Sequence, residues 1–277
     1  MTFTEETSNP NDGGLSSCGS RSFEDVIAAG VPEVGDDDVA ALIEHLRARP
    51  RTPPDDPNAW DPDGDSVLAH AARRDDRAEI ERLLARGARP NEACRSGAFP
   101  LQHAAVGLAL AAIEVLVSAR ARVRDEMLTS AFWAKGPDDR RAACLTRFMA
   151  AGASPSRELV WRAAAFGWTT TLGVLLAGGG DASRATPTGG LAIVDGARSR
   201  EVLALLIAAG ADVRARDALG RSALEQAIVF GNSDAALLLI EHGALADLRP
   251  HELERARALA VDHQHAQVER AISDATR

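Results

Sequence analysis

The residues of this 277-residue chain that are best suited to chemistry are a few histidines and three cysteines. His263 and His265, beside Asp262, form the group that most resembles a metal site. Two metal ligands on one helix are expected four residues apart, as in H-E-x-x-H, whereas residues two apart point to different faces. The spacing therefore favours a solvated helix end, and the sequence predicts no metal site and no cofactor.

The other candidates recur in a way that indicates structure rather than catalysis. His70 and His103 lie 33 residues apart, at the same phase of a sequence repeat, which favours a structural or groove-lining role. Cys18, Cys94 and Cys144 form no C-x-x-C pair, and the sequence identifies no catalytic partner for them. Buried, inert thiols in a reducing compartment are therefore expected.

Loops that bind phosphate or carry a nucleophile are missing from the sequence, which has no P-loop, no G-x-G-x-x-G and no G-x-S-x-G. The run Gly178, Gly179 and Gly180 lies where a helix-ending glycine recurs in other repeats, and no Lys-Ser/Thr follows it. Repeats occupy nearly all of the chain, which leaves no room for a catalytic domain. The sequence therefore predicts that the protein is not an enzyme.

The elements that must position these residues are helical hairpins, of which 217–244 is the most regular. Asp217 and Gly220 mark a turn, and apolar residues at helical spacing follow until Gly231. A second apolar helix then ends at Gly243, where an αL residue is favoured. Such a hairpin is apolar on two faces and cannot bury both alone, so it is expected to stack on copies of itself.

Six copies share the sequence at the end of the second helix, with steps of 33, 32, 27, 31 and 33 residues. They begin at Leu83, Leu116, Phe148, Leu175, Leu206 and Leu239. The period and the hexapeptides S-V-L-A-H-A at 66–71, F-P-L-Q-H-A at 99–104 and S-A-L-E-Q-A at 222–227 resemble the ankyrin repeat, whose pattern is T-P-L-H-x-A. The resemblance implies an all-α ankyrin-repeat solenoid of stacked helix-turn-helix units with short hairpin-like turns.

The positions of the six repeats also predict the domain organisation. Residues 1–21 are polar and are expected to be a disordered tail, and residues 22–277 are expected to form a single ankyrin-repeat domain. Within that domain we expect an N-terminal cap and loop at 22–60, six repeats at 61–249 and a polar C-terminal cap at 250–277. The less regular helices are expected at 126–135, 191–198 and 263–274.

Charge and composition limit the partners. The net charge is −9, but residues 1–65 carry 15 acidic residues and 4 arginines, while residues 66–277 carry 25 acidic and 27 basic residues. The repeats are therefore nearly neutral and lack the concentrated basic face that binds nucleic acid. No apolar run is long enough to span a membrane, and no secretory signal is evident. We expect a cytoplasmic monomer, and the excess of arginine and alanine suggests a bacterial source.

The resemblance also implies where a partner binds, because proteins with this repeat use the turn tips and the exposed face of the first helices, which line a concave groove. The matching positions are Asp63, Asp65, Arg95 and Arg221 in turns, and Arg73, Arg74, Trp133, Phe166, Arg198 and Phe230 at the ends of first helices. Arginine and aromatic residues are enriched at interface hot spots. An equal alternative is that Trp133 and Phe166 fill irregular packing between degenerate repeats.

The predicted function is a non-enzymatic protein–protein interaction scaffold that binds a protein partner along the concave groove. Two narrower alternatives remain open at this point. One is an immunity or antitoxin-type neutraliser of a toxin, and the other is a secreted effector whose N-terminal segment directs export. An enzyme with a site that the motifs do not reveal is the least favoured reading.

Overall fold

The structure, a computed structural model, describes residues 56–61, 64–246 and 248–275. These residues form fourteen helices and no strand, with two isolated antiparallel bridges at Trp60–Ser66 and Arg216–Ser222. The helices are α1 (Val67–Arg73), α2 (Arg77–Ala85), α3 (Pro100–Val106), α4 (Leu110–Ser118), α5 (Glu126–Phe132), α6 (Asp138–Ala150), α7 (Arg157–Phe166), α8 (Thr169–Ala177), α9 (Ala192–Asp195), α10 (Arg200–Ala208), α11 (Ala223–Val229), α12 (Ser233–Glu241), α13 (Pro250–Asp262) and α14 (Ala266–Ala275). The all-α prediction is confirmed. The predicted tail at 1–21, the predicted cap as far as residue 55, and Asp63 lie outside the described residues.

The helices pack as seven consecutive antiparallel pairs in two layers. Consecutive odd-numbered helices, the first helices, pack on one another in one layer except at α5 and α7, and consecutive even-numbered helices, the second helices, pack on one another in the other layer. Helices of four to thirteen residues are marginal alone in water, so each pair depends on burial against its neighbours. At the junction between the third and fourth pairs, the packing runs chiefly through the second helices α6 and α8.

Small residues allow the first helices to approach closely. Ala71 and Ala72 of α1 and Ala104 and Ala105 of α3 are almost completely buried. Gly107 ends α3 against the carbonyl oxygen of Arg73, and a Cβ at this position would lie only 2.4 Å from that oxygen. The core is therefore mostly aliphatic, although Phe132 and Phe148 are among its largest fully buried side chains.

Two second helices receive their N-terminal caps from a neighbouring repeat. Neither α4 nor α8 has a capping hydrogen bond from its own N-cap side chain. The Asp75 carboxylate accepts the backbone N–H of Ala112 in α4 at 2.9 Å. The Asp138 carboxylate accepts the N–H groups of Thr170 and Thr171 in α8 at 3.0 and 3.3 Å, and the Thr171 hydroxyl at 2.6 Å. These carboxylates stabilise the exposed positive ends of the helices while they join adjacent repeats.

The third pair differs from its prediction because α5 ends at Phe132 rather than at residue 135. The guanidinium of Arg141, which is buried, donates to the carbonyl oxygens of Phe132, Ala134 and Gly136 at 2.9, 3.3 and 3.1 Å. The chain therefore leaves the helix and folds around the guanidinium, which satisfies carbonyl groups that the helix end leaves unpaired.

The fifth pair is also shorter than predicted, since α9 ends at Asp195 instead of residue 198. An added Cβ at Gly196 would lie 2.7 Å from Val202 Cγ1, so the chain passes very close to α10 there. The Ser199 hydroxyl caps α10 by accepting the Val202 N–H at 3.3 Å. The helix must therefore stop to leave a turn before the cap.

The last pair begins its second helix at Ala266, not at residue 263, because His265 is fixed by the preceding pair. Its imidazole contacts the Ser233 hydroxyl at 2.5 Å and the Ile228 carbonyl oxygen at 3.1 Å, and its side chain is buried. The prediction of a solvated histidine pair is therefore wrong for His265.

The shared cap at α8 leads to a stability prediction. Asp138→Ala removes the acceptor for two backbone N–H groups and for the buried Thr171 hydroxyl. We expect the free energy of unfolding to fall by about 2 kcal/mol. Asp139→Ala, an exposed neighbour in the same turn of α6, is the matched control and should cost less than about 0.5 kcal/mol. Urea denaturation followed by far-UV circular dichroism measures both, and equal losses would show that Asp138 does not cap α8.

Candidate protein-binding surface

Four five-residue turns precede first helices and are closed by a hydrogen bond from the first N–H to the fifth carbonyl oxygen, at 2.8–3.1 Å. They span 61–65, 94–98, 186–190 and 217–221. Neighbouring turns are joined in two pairs, because the N–H of Arg95 donates to Gly64 O at 2.9 Å and that of Ala218 to Gly189 O at 3.1 Å. Among the described backbone bonds, no such turn precedes α5 or α7, so the two turn pairs flank a central gap.

Exposed side chains recur where the first helices end. We call this row the helix-end ridge, and it comprises Arg73, Arg74, Val106, Trp133, Phe166, Arg198, Val229 and Phe230. Trp133 and Phe166 are each 50% exposed, and Val106 is 46% exposed. The six residues that the sequence predicts at helix ends therefore all lie on the solvent side of the first-helix layer.

Four aromatic rings form a cluster at the centre of the ridge. Phe132, Trp133, Phe166 and Trp168 have neighbouring ring centroids 4.9–5.9 Å apart. Phe132 is completely buried and Trp168 is partly buried, so these two rings support the half-exposed pair from below. Rings that are held in this way lose little side-chain freedom when a partner covers them.

Arginines pack on this aromatic cluster from two sides. The guanidinium carbon of Arg162 lies 5.1 Å from the Trp133 ring centroid, and that of Arg141 lies 3.9 Å from the Trp168 ring centroid. Cations over aromatic faces are attracted by the ring quadrupole. Arg162 is also paired with Glu158 at 2.8 Å, so the surface around Trp133 presents an apolar face beside an ion pair.

A second cation–aromatic pair lies further along the ridge. The guanidinium carbon of Arg198 is 4.3 Å from the ring centroid of Phe230, whose side chain is 38% exposed. The backbone beneath it is fixed because the Asn232 amide donates to Arg198 O at 2.8 Å. The fold brings together two predicted residues that are 32 positions apart in sequence.

The predicted turn residues have different surroundings. Arg95 is exposed, with its guanidinium 5.9 Å from the Trp60 ring centroid. Asp65 is partly buried and lies 3.5 Å from His103. Arg221 is partly buried and forms ion pairs with Asp217 at 2.6 Å and Asp195 at 3.1 Å. Arg95 is thus presented to solvent, whereas Asp65 and Arg221 face inward partners.

Asp217 organises the turn at 217–221 through a buried carboxylate. It accepts the N–H groups of Leu219 and Arg221 at 2.9 and 2.8 Å, and the Arg221 guanidinium Nε at 2.7 Å. Burial acts to raise the pKa of Asp217, but the hydrogen bonds from Arg221 and the charge of its guanidinium outweigh it and lower the pKa below the ordinary value. The ionised carboxylate is therefore the form that stabilises the turn.

The fold also assembles a group that the sequence does not predict. Asp65 of the first turn, Cys94 of the second turn and His103 of α3 place one donor atom each within 4.8 Å of one another. Within this group, Asp65 Oδ1 and His103 Nε2 are 3.5 Å apart. These residues are separated by 29 and 9 positions, which match no ligand motif. Only the shared repeat phase of His70 and His103 hinted that such positions face one surface.

The remaining candidates have structural roles. His70 Nε2 contacts Asp61 Oδ2 at 2.5 Å, across the base of the first turn. Cys94 and Cys144 are buried and form no disulfide, and Cys18 lies outside the described residues. Burial raises the pKa of Cys144 to about 12, so this thiol remains protonated at neutral pH.

Comparisons with known proteins identify the architecture. No family model matches the sequence, and no curated protein matches it significantly. The human ASB11 ankyrin repeat domain matches with a TM-score of 0.52 at 23% identity, over 72% of this chain and 92% of that chain. The chain has the ankyrin-repeat fold. A chain of the structure of a predatory endopeptidase from Bdellovibrio bacteriovorus in complex with an immunity protein matches with a TM-score of 0.51 at 23% identity, over 64% of this chain and 98% of that chain.

The ankyrin-repeat fold gives the two surface features a common location. The turns lie at the start of the first helices and the helix-end ridge at their other end, so both border the surface of the same helical layer. None of the helices in the described ranges has the length and apolar character that a membrane span requires.

The Asp217 carboxylate predicts a pH-dependent stability difference. A carboxyl group whose pKa is lowered by folding contributes stability above its unfolded pKa, and this contribution is lost as the pH falls through the folded pKa. Asp217→Asn should therefore lower the free energy of unfolding by about 1–2 kcal/mol at about pH 7. The difference from wild type should shrink below about pH 4. Urea denaturation of both proteins across this range checks it, and a difference independent of pH would contradict the assignment.

Proposed function

We propose that the protein is a non-enzymatic scaffold whose protein partner binds along the first-helix layer, with Trp133 and Phe166 as central anchors. The observation that carries this proposal is the aromatic cluster, which holds two half-exposed rings on a buried support. Large, rigid aromatic side chains that are ordered before binding are typical of interface hot spots. The alternative is that Trp133 and Phe166 fill irregular packing between degenerate repeats. The two roles are compatible, because a half-buried ring can fill such packing and still contact a partner.

The charges around the anchors favour a partner with a particular surface. Arg73 and Arg74 lie at one end of the ridge and Arg198 lies toward the other end, while Arg162 beside Trp133 is already paired with Glu158. A complementary partner would offer an apolar pocket to the rings and carboxylates on either side. This local pattern differs from the overall net charge of −9, because acidic residues are concentrated in 1–65.

The state of the thiols also supports a role in binding rather than catalysis. Burial raises the pKa of Cys94 and of Cys144, so neither is a ready nucleophile at neutral pH.

We propose that the scaffold acts as a monomer in the cytoplasm.

The anchors are tested by alanine substitution. Trp133→Ala together with Phe166→Ala should weaken partner binding by about 30-fold, the change expected when a hot spot is removed. Val261→Ala, at an exposed apolar side chain of α13, is the control and should bind like wild type. Partners are first captured by affinity purification with quantitative mass spectrometry, and the purified complex is then measured by titration calorimetry. Wild-type affinity in the double variant, with an unchanged melting temperature, would contradict the proposal.

The basic end of the ridge has its own test. Arg73→Glu with Arg74→Glu reverses two exposed charges and should weaken binding by at least about tenfold, mainly through slower association. Surface plasmon resonance at low and high salt separates this effect from a loss of folding. If every captured partner binds the variant as it binds wild type, the N-terminal half of the surface is assigned wrongly.

The identity of the captured partner distinguishes the narrower functions. A neutraliser of a toxin is the second candidate, and the fold match to a structure that contains an immunity protein is the observation that favours it. In that case the partner would be an enzyme whose activity is lost at one equivalent of this chain. A secreted effector would instead capture proteins of another cell, and its segment 1–50 would direct transfer of a fused reporter.

A further inference from the structure

We propose that Asp65, Cys94 and His103 form a site for one Zn²⁺ ion between the first two repeats. The carboxylate, thiol and imidazole donors all lie within 4.8 Å of one another. In tetrahedral zinc sites the ligand bonds are about 2.0–2.3 Å, which separates ligand atoms by roughly 3.4 Å. The distance of 3.5 Å between Asp65 Oδ1 and His103 Nε2 already fits this geometry. A change of about 1 Å in the position of Cys94 Sγ, within the range of a side-chain rotation, would complete the set of three.

The strongest independent sign of a missing partner is the Nε2 atom of His103. This atom is buried and makes no hydrogen bond. Unpaired buried polar atoms are costly and rare in folded proteins, so each one needs an explanation. Here the atom faces the carboxylate of Asp65 and the thiol of Cys94, an arrangement in which a bound cation would use every donor.

Protonation of the imidazole, with a hydrogen bond to Asp65, is the competing way to satisfy this atom. The Nε2 atom lies 3.5 Å from Asp65 Oδ1 and makes no hydrogen bond to it. A proton would engage only the carboxylate, whereas a metal ion would accept the nitrogen lone pair and also engage the Cys94 thiol, which lies within 4.8 Å. The geometry therefore favours the metal ion.

The donor set selects the class of metal. Sulfur, imidazole nitrogen and one carboxylate oxygen suit Zn²⁺, whereas Ca²⁺ and Mg²⁺ prefer sites made only of oxygen. Cys94 Sγ now lies 4.0 Å from Ser66 Oγ, and burial raises the pKa of its thiol. On binding, the S–H bond breaks, a zinc–sulfur bond forms and the proton passes to solvent. The fourth position would be open, because the Asp65 side chain is 23% exposed.

A metal ion at this position would link three segments, the first turn, the second turn and α3. Backbone hydrogen bonding between the two turns is limited. Asp65 and Cys94 belong to adjacent turns that share one hydrogen bond, from Arg95 N to Gly64 O at 2.9 Å. His103 adds the first helix beneath them. The ion would therefore fix the two turns at the start of the binding surface, and this consequence does not depend on the proposed function.

The test is metal binding by the full-length chain after removal of metal with a chelator. Equilibrium dialysis against Zn²⁺ should give one ion per chain, and Zn²⁺ should raise the melting temperature because it binds only the folded site. Co²⁺ as a spectroscopic probe should give a thiolate-to-cobalt band in the near ultraviolet. Cys94→Ala should abolish both, whereas Cys144→Ala, a buried cysteine outside the site, should retain both.

Two milder variants keep the test informative if Cys94→Ala fails to fold. Asp65→Asn and His103→Gln should each weaken Zn²⁺ binding at least about tenfold, with the helical circular dichroism of wild type. The proposal is overturned if wild type binds no Zn²⁺ at equimolar concentration. It is also overturned if the cobalt band persists in folded Cys94→Ala, or if Asp65→Asn and His103→Gln bind Zn²⁺ as wild type does.

Discussion

The stacking of one helix pair on the next is the interaction on which the whole structure depends. Each pair has two apolar faces and helices too short to be stable alone, so its stability lies in the contacts with its neighbours. Alanine pairs such as Ala71 and Ala72 bring the first helices close, and Gly107 fits directly against the carbonyl oxygen of Arg73. The same stacking fixes which residues from different repeats face the same surface.

The junction between the third and fourth pairs shows what happens when this regularity fails. There the two pairs pack chiefly through the second helices α6 and α8, and hydrogen bonds from polar side chains also join them. Asp138 caps the helix of the next pair, and the buried guanidinium of Arg141 donates to carbonyl oxygens at the end of α5 and just after it. Aromatic rings fill the region beside the first helices. The irregular junction is therefore also the place where Trp133 and Phe166 reach solvent.

The turns illustrate a different use of polar groups. In the turn at 217–221 the buried carboxylate of Asp217 is paired with backbone N–H groups and with the Arg221 guanidinium. Beneath the first and second turns, the buried Nε2 atom of His103 lies 3.5 Å from Asp65 but makes no hydrogen bond. The Asp217 network is satisfied within the chain, whereas this atom is not. The contrast is the basis for the metal site proposed there, because buried polar groups are normally hydrogen-bonded.

Periodicity in the sequence by itself determined the helix pairs, the all-α class and the residues that point outward at the ends of the first helices. This worked because the apolar spacing and the glycines at helix ends are local signals that stacking reinforces in nearly every pair. The ends of α5 and α9 were predicted wrongly, since they are set by side chains of the next helix in the same pair, the Arg141 guanidinium and Val202 against Gly196, whose positions depend on how the two helices pack. Only the tertiary structure placed Arg198 on Phe230, and Asp65 and Cys94 beside His103. A repeat period fixes the order of units, but contacts between them depend on stacking distances of a few ångströms that no single segment encodes.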